Sequence, residues 1–357
     1  MIGKTTFAQF VIEAQRSAPE ATGDLSALLH DVCTAVKAIA AEVGRGAQGG
    51  RHGPAGAVNV QGEAQQKLDV LANELVLAAC GWGGHLAGMA SEELPDVSPI
   101  AAQHPRGKYL LAFDPLDGSS NVDVNITVGS IFSILRRPEG PGEARAEDFL
   151  QPGHRQVAAG YALYGPCTML VVSLGRGVHG FTLDRELGDF VLTHPELRIP
   201  ATAREFAINA SNERFWEAPV KRYVDECRAG KAGPREDDFN MRWIASLVAE
   251  VHRILVRGGV FLYPRDTKDP SRAGRLRLLY EAAPVAFLVE QAGGVATDGR
   301  TRLLDLAPDD LHARVPVVLG SREEVERIAR YHAEHDRGEG PPYRSPLFGS
   351  RSLYTQP

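Results

Sequence analysis

Apolar residues recur at helical spacing through TGDLSALLHDVCTAVKAIAAEV, where Leu25, Leu28, Leu29, Val32, Val36, Ile39 and Val43 share one face. Thr22-Gly23-Asp24 opens this segment with capping chemistry, so an amphipathic helix is predicted there. What precedes it, MIGKTTFAQFVIEAQRS, reads as a polar start. Residues 44 to 57, GRGAQGGRHGPAGA, are dominated by glycine and small polar residues and predict a flexible loop, too long for a simple connector. A second helix is predicted near 66 to 80, with Leu68, Leu71, Leu75, Val76 and Ala79 on one side and Gly81 closing it.

The pattern then shortens. KYLLA reads as a buried strand that runs into the turn DPLDGSSN, and VGSIFSIL is a second apolar stretch. From 157 to 193, short apolar runs separated by glycine turns predict antiparallel hairpins. RIPAT, near 198 to 202, marks a boundary. Beyond it helix and strand alternate: a helix over MRWIASLVAEVHRILV, a strand at GGVFLYP, a helix over LRLLYEAAPVAFLVEQAGG with Pro284 inside, a strand at VPVVLG and a C-terminal helix. The expected fold class is α/β in α+β layers, with an antiparallel N-terminal half and an alternating C-terminal half. The expected domains are 1–200 and 201–335, with a loosely ordered tail over 336–357.

Length, charge and cysteine usage narrow the class. A chain of 357 residues exceeds what one hydrophobic core usually serves. The formal net charge of -6 argues against nucleic-acid binding, which needs basic patches. No segment has the ~18 apolar residues of a membrane span, and the N-terminus lacks a signal-peptide core. Cys33, Cys80, Cys167 and Cys227 lie far apart with no C-x-x-C pair, which excludes an obvious zinc site. They read as reduced, buried thiols of a cytoplasmic protein.

The chemistry is concentrated in acids. Glu92 and Glu93 stand together in SEEL; Asp114 and Asp117 lie in the DPLDGSSN turn with Asp123 close by; Glu63 and Asp69 flank the start of the second helix; Glu281 follows an apolar run. Hard divalent cations such as Mg²⁺ take carboxylate, carbonyl and water oxygens. A D-P-L-D turn can offer two carboxylates and the Leu116 carbonyl to one point. Gly118, Ser119 and Ser120 then form a nest of backbone N–H groups and hydroxyls suited to a phosphate. With no Ser-His or Cys-His nucleophile pair in view, a metal-activated water fits better than a covalent intermediate.

These motifs, with NVQGEAQQKLDVLANE, FDPLDGSSNVD, FLQPG, VAAGYALYG, VHRILVRGGVFLYP and LRLLYE, resemble class I fructose-1,6-bisphosphatases over about residues 5 to 335. The acid pair and turn alone are shared with inositol monophosphatase-type enzymes. The resemblance implies the layered αβαβα sugar-phosphatase fold and hydrolysis of fructose 1,6-bisphosphate to fructose 6-phosphate and phosphate. It implies two or more Mg²⁺ per subunit, replaceable by Mn²⁺, on Glu92, Glu93, Asp114, Leu116, Asp117 and Glu281. Glu63, Asp69 and Glu93 take the catalytic roles, the last two orienting water and accepting its proton. Ser119 and Ser120 receive the phosphate that leaves, with Asp117 and Gly118 beside it. Asn209, Arg242, Tyr263 and Arg275 match the groups that hold the retained phosphate, Arg242 reaching in from a neighbouring subunit of a homotetramer. Arg275 stands where the family has lysine, Trp243 where several relatives have tyrosine, and Asn212 where another tyrosine is usual. Thr22, Gly23, Asp24, Leu25, Ser26, Lys108, Tyr109 and Arg136 match an inhibitory AMP site. Sedoheptulose 1,7-bisphosphate hydrolysis and a non-catalytic AMP-sensing role are the alternatives.

Overall fold

The computed structural model describes residues 3–17, 22–49, 53–58, 64–139, 142–270 and 272–339. Its larger sheet is built from β1 (Leu86–Ser91), β2 (Ser98–Pro99), β3 (Tyr109–Asp117), β4 (Val128–Arg136), β5 (Gln156–Tyr164), β6 (Thr168–Ser173), β7 (His179–Asp184) and β8 (Asp189–His194). The spatial order is β8-β7-β6-β5-β4-β3-β1-β2. The neighbours are antiparallel except β1 and β3, which run parallel. A second sheet contains β9 (Glu205–Ile208), β10 (Asn240–Met241), β11 (Val260–Tyr263), β12 (Val295–Thr297) and β13 (Val317–Gly320), in the order β10-β9-β11-β13-β12.

Each sheet is covered on both faces, so its central strands are buried almost throughout, and the pleat sends successive side chains to opposite sides. Phe132, Ala158, Ala162 and Val172 pack against α1 (Phe7–Arg16), α2 (Asp24–Arg45) and α3 (Lys67–Cys80). Their neighbours Ile131, Ala159, Tyr161 and Val171 face the opposite way, onto α5 (Leu247–Arg257) and α6 (Ala283–Gln291), which also meet Phe261, Val317 and Leu319 of the second sheet. Val260, Leu262 and Val318 turn to the last layer, α4 (Ala218–Ala229) and α7 (Arg322–Asp336). The result is five layers, αβαβα.

Several local expectations change. The polar start contains α1, capped by Thr6, whose hydroxyl accepts from the Gln9 N–H at 3.2 Å. Strand β1 precedes the acid pair; its LAGMAS sequence is too poor in β-branched residues to announce a strand. Within residues 44–57 the described part includes a 3₁₀ turn, Gly46–Gly49, and a strand, Pro54–Val58. Helix α5 begins at Leu247, not near Met241, because Ser246 caps it and Ala245 sits at φ 61. The segment from Leu276 is not one helix. Leu276–Arg277 pairs with Arg314–Val315, a π-helical turn spans Leu278–Ala282, and α6 follows. Pro284 is tolerated because it lies in the first turn of α6, where its missing N–H costs nothing. Cys33, Cys80 and Cys227 are buried, but Cys167 is exposed in the turn between β5 and β6.

Candidate active site

The site grows from the parallel pairing of β1 with β3. Their register sets Ser91 against Phe113, and the Glu92 N–H donates to the Phe113 carbonyl at 3.1 Å. The acid pair that leaves β1 is thereby delivered beside Asp114. The register of β3 against β4 slips between Asp114 and Asp117, which kinks the strand end into a turn. Asp114 accepts the Leu116 N–H at 2.9 Å, and Ser130 donates to the Pro115 carbonyl at 2.8 Å. The π turn at Leu278–Ala282 brings Glu281 in from the other side.

Carboxylate oxygens of Glu92, Asp114 and Glu281 lie within 4.8 Å of one another, all buried. Burial and the surrounding acids push Asp114 well above the ordinary carboxylate range. Burial raises Glu281 to about 7, against the opposing pull of Arg277. Asp114 and Glu281, both held toward the neutral form by burial, with Glu92 beside them, make a donor set that could hold a hard divalent cation, whose positive charge would remove the repulsion.

Asp117 is placed differently. It accepts the Ser246 hydroxyl at 2.9 Å, the Leu247 N–H at 3.2 Å and the Val248 N–H at 2.9 Å, so it caps α5. Burial raises its pKa while these donors oppose the rise. Gly118 follows at φ 75, and a Cβ there would meet the Ser246 Cβ at 2.9 Å, so only glycine fits between the turn and the helix. Ser119 and Ser120 open the 3₁₀ turn Ser119–Val124.

Asp69, in the first turn of α3, is raised to about 7 by burial and by Glu93, while the Gln66 N–H and the Ser119 hydroxyl stabilise its anion. Asp69, Glu93 and Ser119 are therefore neighbours, and Glu93 is also close enough to act on Asp114. Glu63 lies outside the described residues. Asp123 accepts the Gly53 N–H at 3.2 Å, which ties the glycine-rich segment to the Ser119–Val124 turn.

Asn209 follows β9, and its side-chain oxygen accepts the Ser211 N–H at 3.2 Å and hydroxyl at 2.6 Å. Its amide NH₂ remains a donor. Tyr263 ends β11 and feels Arg275, Glu281, Asp266 and Arg314 as neighbouring charges. Trp243 lies parallel to Phe261, at 3° and 6.0 Å between centroids. Arg242 is half-exposed and pairs with Glu205 at 3.4 Å.

Arg277 was not anticipated. It is 4% exposed and its guanidinium pairs with Glu92 at 2.5 Å, while its N–H donates to Glu281 at 2.6 Å. The signal was a lone cation in the apolar run LRLLYE, four residues before Glu281. Arg314, whose Nη1 donates to the Arg275 carbonyl at 2.6 Å, was also missed.

Away from the acids, a cavity of about 440 Å³ is bordered by Thr22, Gly23, Leu25 and Ser26 at the head of α2 and by Lys108, Tyr109 and Arg136 on the sheet. Lys108 donates to the Thr22 hydroxyl at 2.7 Å and pairs with Asp24 at 2.8 Å. Tyr109 stands opposite Arg136 across β3 and β4.

Five alternating layers enclosing a buried carboxylate cluster define a protein of the sugar-phosphatase fold. Family models match both halves: fructose-1-6-bisphosphatase, N-terminal domain, over residues 5–195, and fructose-1-6-bisphosphatase, C-terminal domain, over 199–333. The chain belongs to the class 1 fructose-1,6-bisphosphatase family. It is 62% identical over 355 residues to a class 1 fructose-1,6-bisphosphatase of Methylibium petroleiphilum, covering 99% of this chain and 98% of the relative. It is 59% identical over 350 residues to that of Hydrogenophilus thermoluteolus, covering 98% and 97%. Among solved structures it matches Leishmania major fructose-1,6-bisphosphatase in holo form with a TM-score of 0.86 at 38% identity, over 92% of this chain and 99% of that one. The T-state of the same enzyme matches with a TM-score of 0.81 at 37% identity, over 93% and 99%. No helix among the described residues is long and apolar enough to cross a membrane.

Proposed function

We propose that the protein hydrolyses D-fructose 1,6-bisphosphate to fructose 6-phosphate and phosphate, with Mg²⁺ or Mn²⁺ held by Glu92, Glu93, Asp114, the Leu116 carbonyl, Asp117 and Glu281. The observation that carries this reading is the convergence of Glu92, Asp114 and Glu281 within 4.8 Å. Bound there, a divalent cation polarises phosphoryl oxygens and makes water acidic enough to attack at neutral pH. The chain's own groups do the rest. Gly118, Ser119 and Ser120 cradle the phosphate that leaves, through their backbone N–H groups and the Ser120 hydroxyl. Asp69, beside Glu93 and Ser119, is placed to accept a proton from the attacking water. Asn209, Tyr263 and Arg275 hold the retained phosphate, and Arg242 completes a neighbour's pocket in a homotetramer.

AMP is proposed to occupy the cavity at the head of α2. Its phosphate would meet the helix N–H groups and Lys108, displacing the Asp24 contact, and the cytoplasm is the expected compartment.

Turnover with fructose 1,6-bisphosphate and with sedoheptulose 1,7-bisphosphate, each with Mg²⁺ and with excess chelator, tests the reading. Fructose 1,6-bisphosphate turnover that needs the metal is expected. Undiminished hydrolysis in chelator would refute the metal role. No turnover of either sugar would leave the non-catalytic alternative, and a preference for the seven-carbon substrate would replace the six-carbon one.

A further inference from the structure

Arg275 is gripped from one side. Its Nε donates to Oδ2 of Asp266 at 3.4 Å, and its Nη2 donates to Oδ1 and Oδ2 at 3.2 Å each. The Asp266 side chain is 6% exposed and that of Arg275 24%. Asp266 is itself fixed: Oδ1 accepts the Lys268 N–H at 3.0 Å, its backbone bridges to Trp216, and the next residue's N–H donates to the Phe215 carbonyl at 3.0 Å. Phe215 ends the 3₁₀ turn Ala210–Phe215 that Asn209 caps. The carboxylate thus joins Arg275 to the turn that carries Asn209.

We propose that Asp266 is a positioning residue for Arg275, clamping the Nε edge of the guanidinium so that its Nη1 end faces the phosphate that stays on the sugar. This rests on the reading that Arg275 holds that phosphate. A guanidinium has five N–H groups in a rigid plane. Those on Nε and one on Nη2 are taken by Asp266, and the end of the fork is left for a bidentate phosphate contact. A lysine at this position has no second edge to clamp, and a nearby carboxylate simply competes with the phosphate for one ammonium. Asp266 therefore helps an arginine and hinders a lysine. Its own charge opposes the phosphate, but that charge is spent on the far edge of the fork, so orientation outweighs repulsion.

The test uses the metal-loaded enzyme and two product inhibitors. Fructose 6-phosphate reports the retained-phosphate pocket, and inorganic phosphate reports the other. Asp266→Asn keeps an oxygen for the Lys268 N–H, so the loop stays folded, and an unchanged melting temperature checks this. Asp266→Asn is expected to raise Ki for fructose 6-phosphate and KM by about three- to tenfold, the usual cost of immobilising one flexible side chain on binding. Ki for inorganic phosphate and kcat should move much less. In an Arg275→Lys background the same Asp266→Asn change should lower Ki for fructose 6-phosphate. A change of the same sign in both backgrounds, or none in the Arg275 enzyme, would overturn the clamp. An Arg275→Ala variant with wild-type Ki for fructose 6-phosphate would instead overturn the placement of Arg275 in the pocket, whatever Asp266 does.

Discussion

Replacing Glu281 with glutamine should make the metal-free protein more stable while removing most of its activity. Burial raises the Glu281 pKa from the ordinary 4.5 to about 7. The sign follows from linkage. The folded state binds this proton more tightly than the unfolded chain, so stability falls as pH rises from about 4.5 to about 7 and is flat above. A shift of this size is worth about 3 kcal/mol at pH ~8 and about 1 kcal/mol at pH ~5. Glutamine keeps the acceptor for the Arg277 N–H, now 2.6 Å from the carboxylate, and carries no charge. Arg277 retains Glu92 as its partner. For a chain of 357 residues the unfolding entropy converts ~3 kcal/mol into roughly a 4 °C rise in Tm. The assay is thermal unfolding of wild type and Glu281→Gln in chelator, at one scan rate, at pH ~5 and ~8. The variant should gain about 4 °C at the higher pH and about 1 °C at the lower. Saturating Mg²⁺ should reverse the order, because it stabilises the carboxylate form and finds a weaker site in the variant. A variant that melts lower than wild type in chelator at pH ~8, or a gain that does not grow with pH, would refute the reasoning.

Asp117→Asn should lower kcat by about a hundredfold or more, and because Asp117 also caps α5, the amides of Leu247 and Val248 should exchange with solvent faster than in wild type. Mixing Arg242→Ala subunits with Asp117→Asn subunits should restore activity above the sum of the two parents, since a hybrid contact has one intact site; no gain on mixing would mean that Arg242 serves only its own subunit. AMP at up to millimolar concentration should inhibit, Lys108→Ala combined with Arg136→Ala should relieve it, and saturating Mg²⁺ should weaken AMP by the same factor as AMP weakens Mg²⁺. Inhibition unchanged in the double variant would place the effector elsewhere.

The acid cluster was legible because its members sit in strong local patterns: SEEL, DPLDGSSN and the acid after LRLLY. Helix α2 was legible for the same reason, with an uninterrupted apolar stripe. Where the sequence misled, a tertiary constraint had replaced a local one. LRLLYEAAPVAFLV has helical periodicity throughout, yet Arg277 is drawn into a two-residue strand against Arg314, and the chain crosses to α6 only through a π turn. MRWIAS predicts helix because its apolar residues fit the period. The first helical N–H groups are instead those that reach Asp117, more than a hundred residues earlier, and that contact sets where α5 begins. The cation inside the acid cluster escaped notice because pairing across such distances leaves no mark on spacing, and neither does the Asp266 grip on Arg275.

One segment shows how the site is held together. Residues 243–246 lie between Arg242, proposed to complete a neighbour's pocket, and α5, and they are not helical. The Asn121 amide donates to the Ile244 carbonyl at 3.2 Å and to the Ala245 carbonyl at 3.4 Å. Glu250, fully buried, accepts the Ile244 N–H at 2.6 Å and is neutralised by Arg253 at 2.9 Å. Arg253 also pairs with Glu205, the partner of Arg242. Asn121 belongs to the same short turn as Ser119 and Ser120, and Asp117 caps the helix that starts where this segment ends. A buried charge left unpaired costs several kcal/mol, so Glu250 and Arg253 act as one unit that fixes the Ile244 backbone. Strain at Ala245, φ 61, is tolerated because both of its flanks are fixed. The Ser119–Val124 turn, the Asp114–Asp117 turn and the backbone that follows Arg242 are therefore tied together: the Ser119–Val124 turn cannot shift without disturbing Ile244, nor Asp117 without uncapping α5.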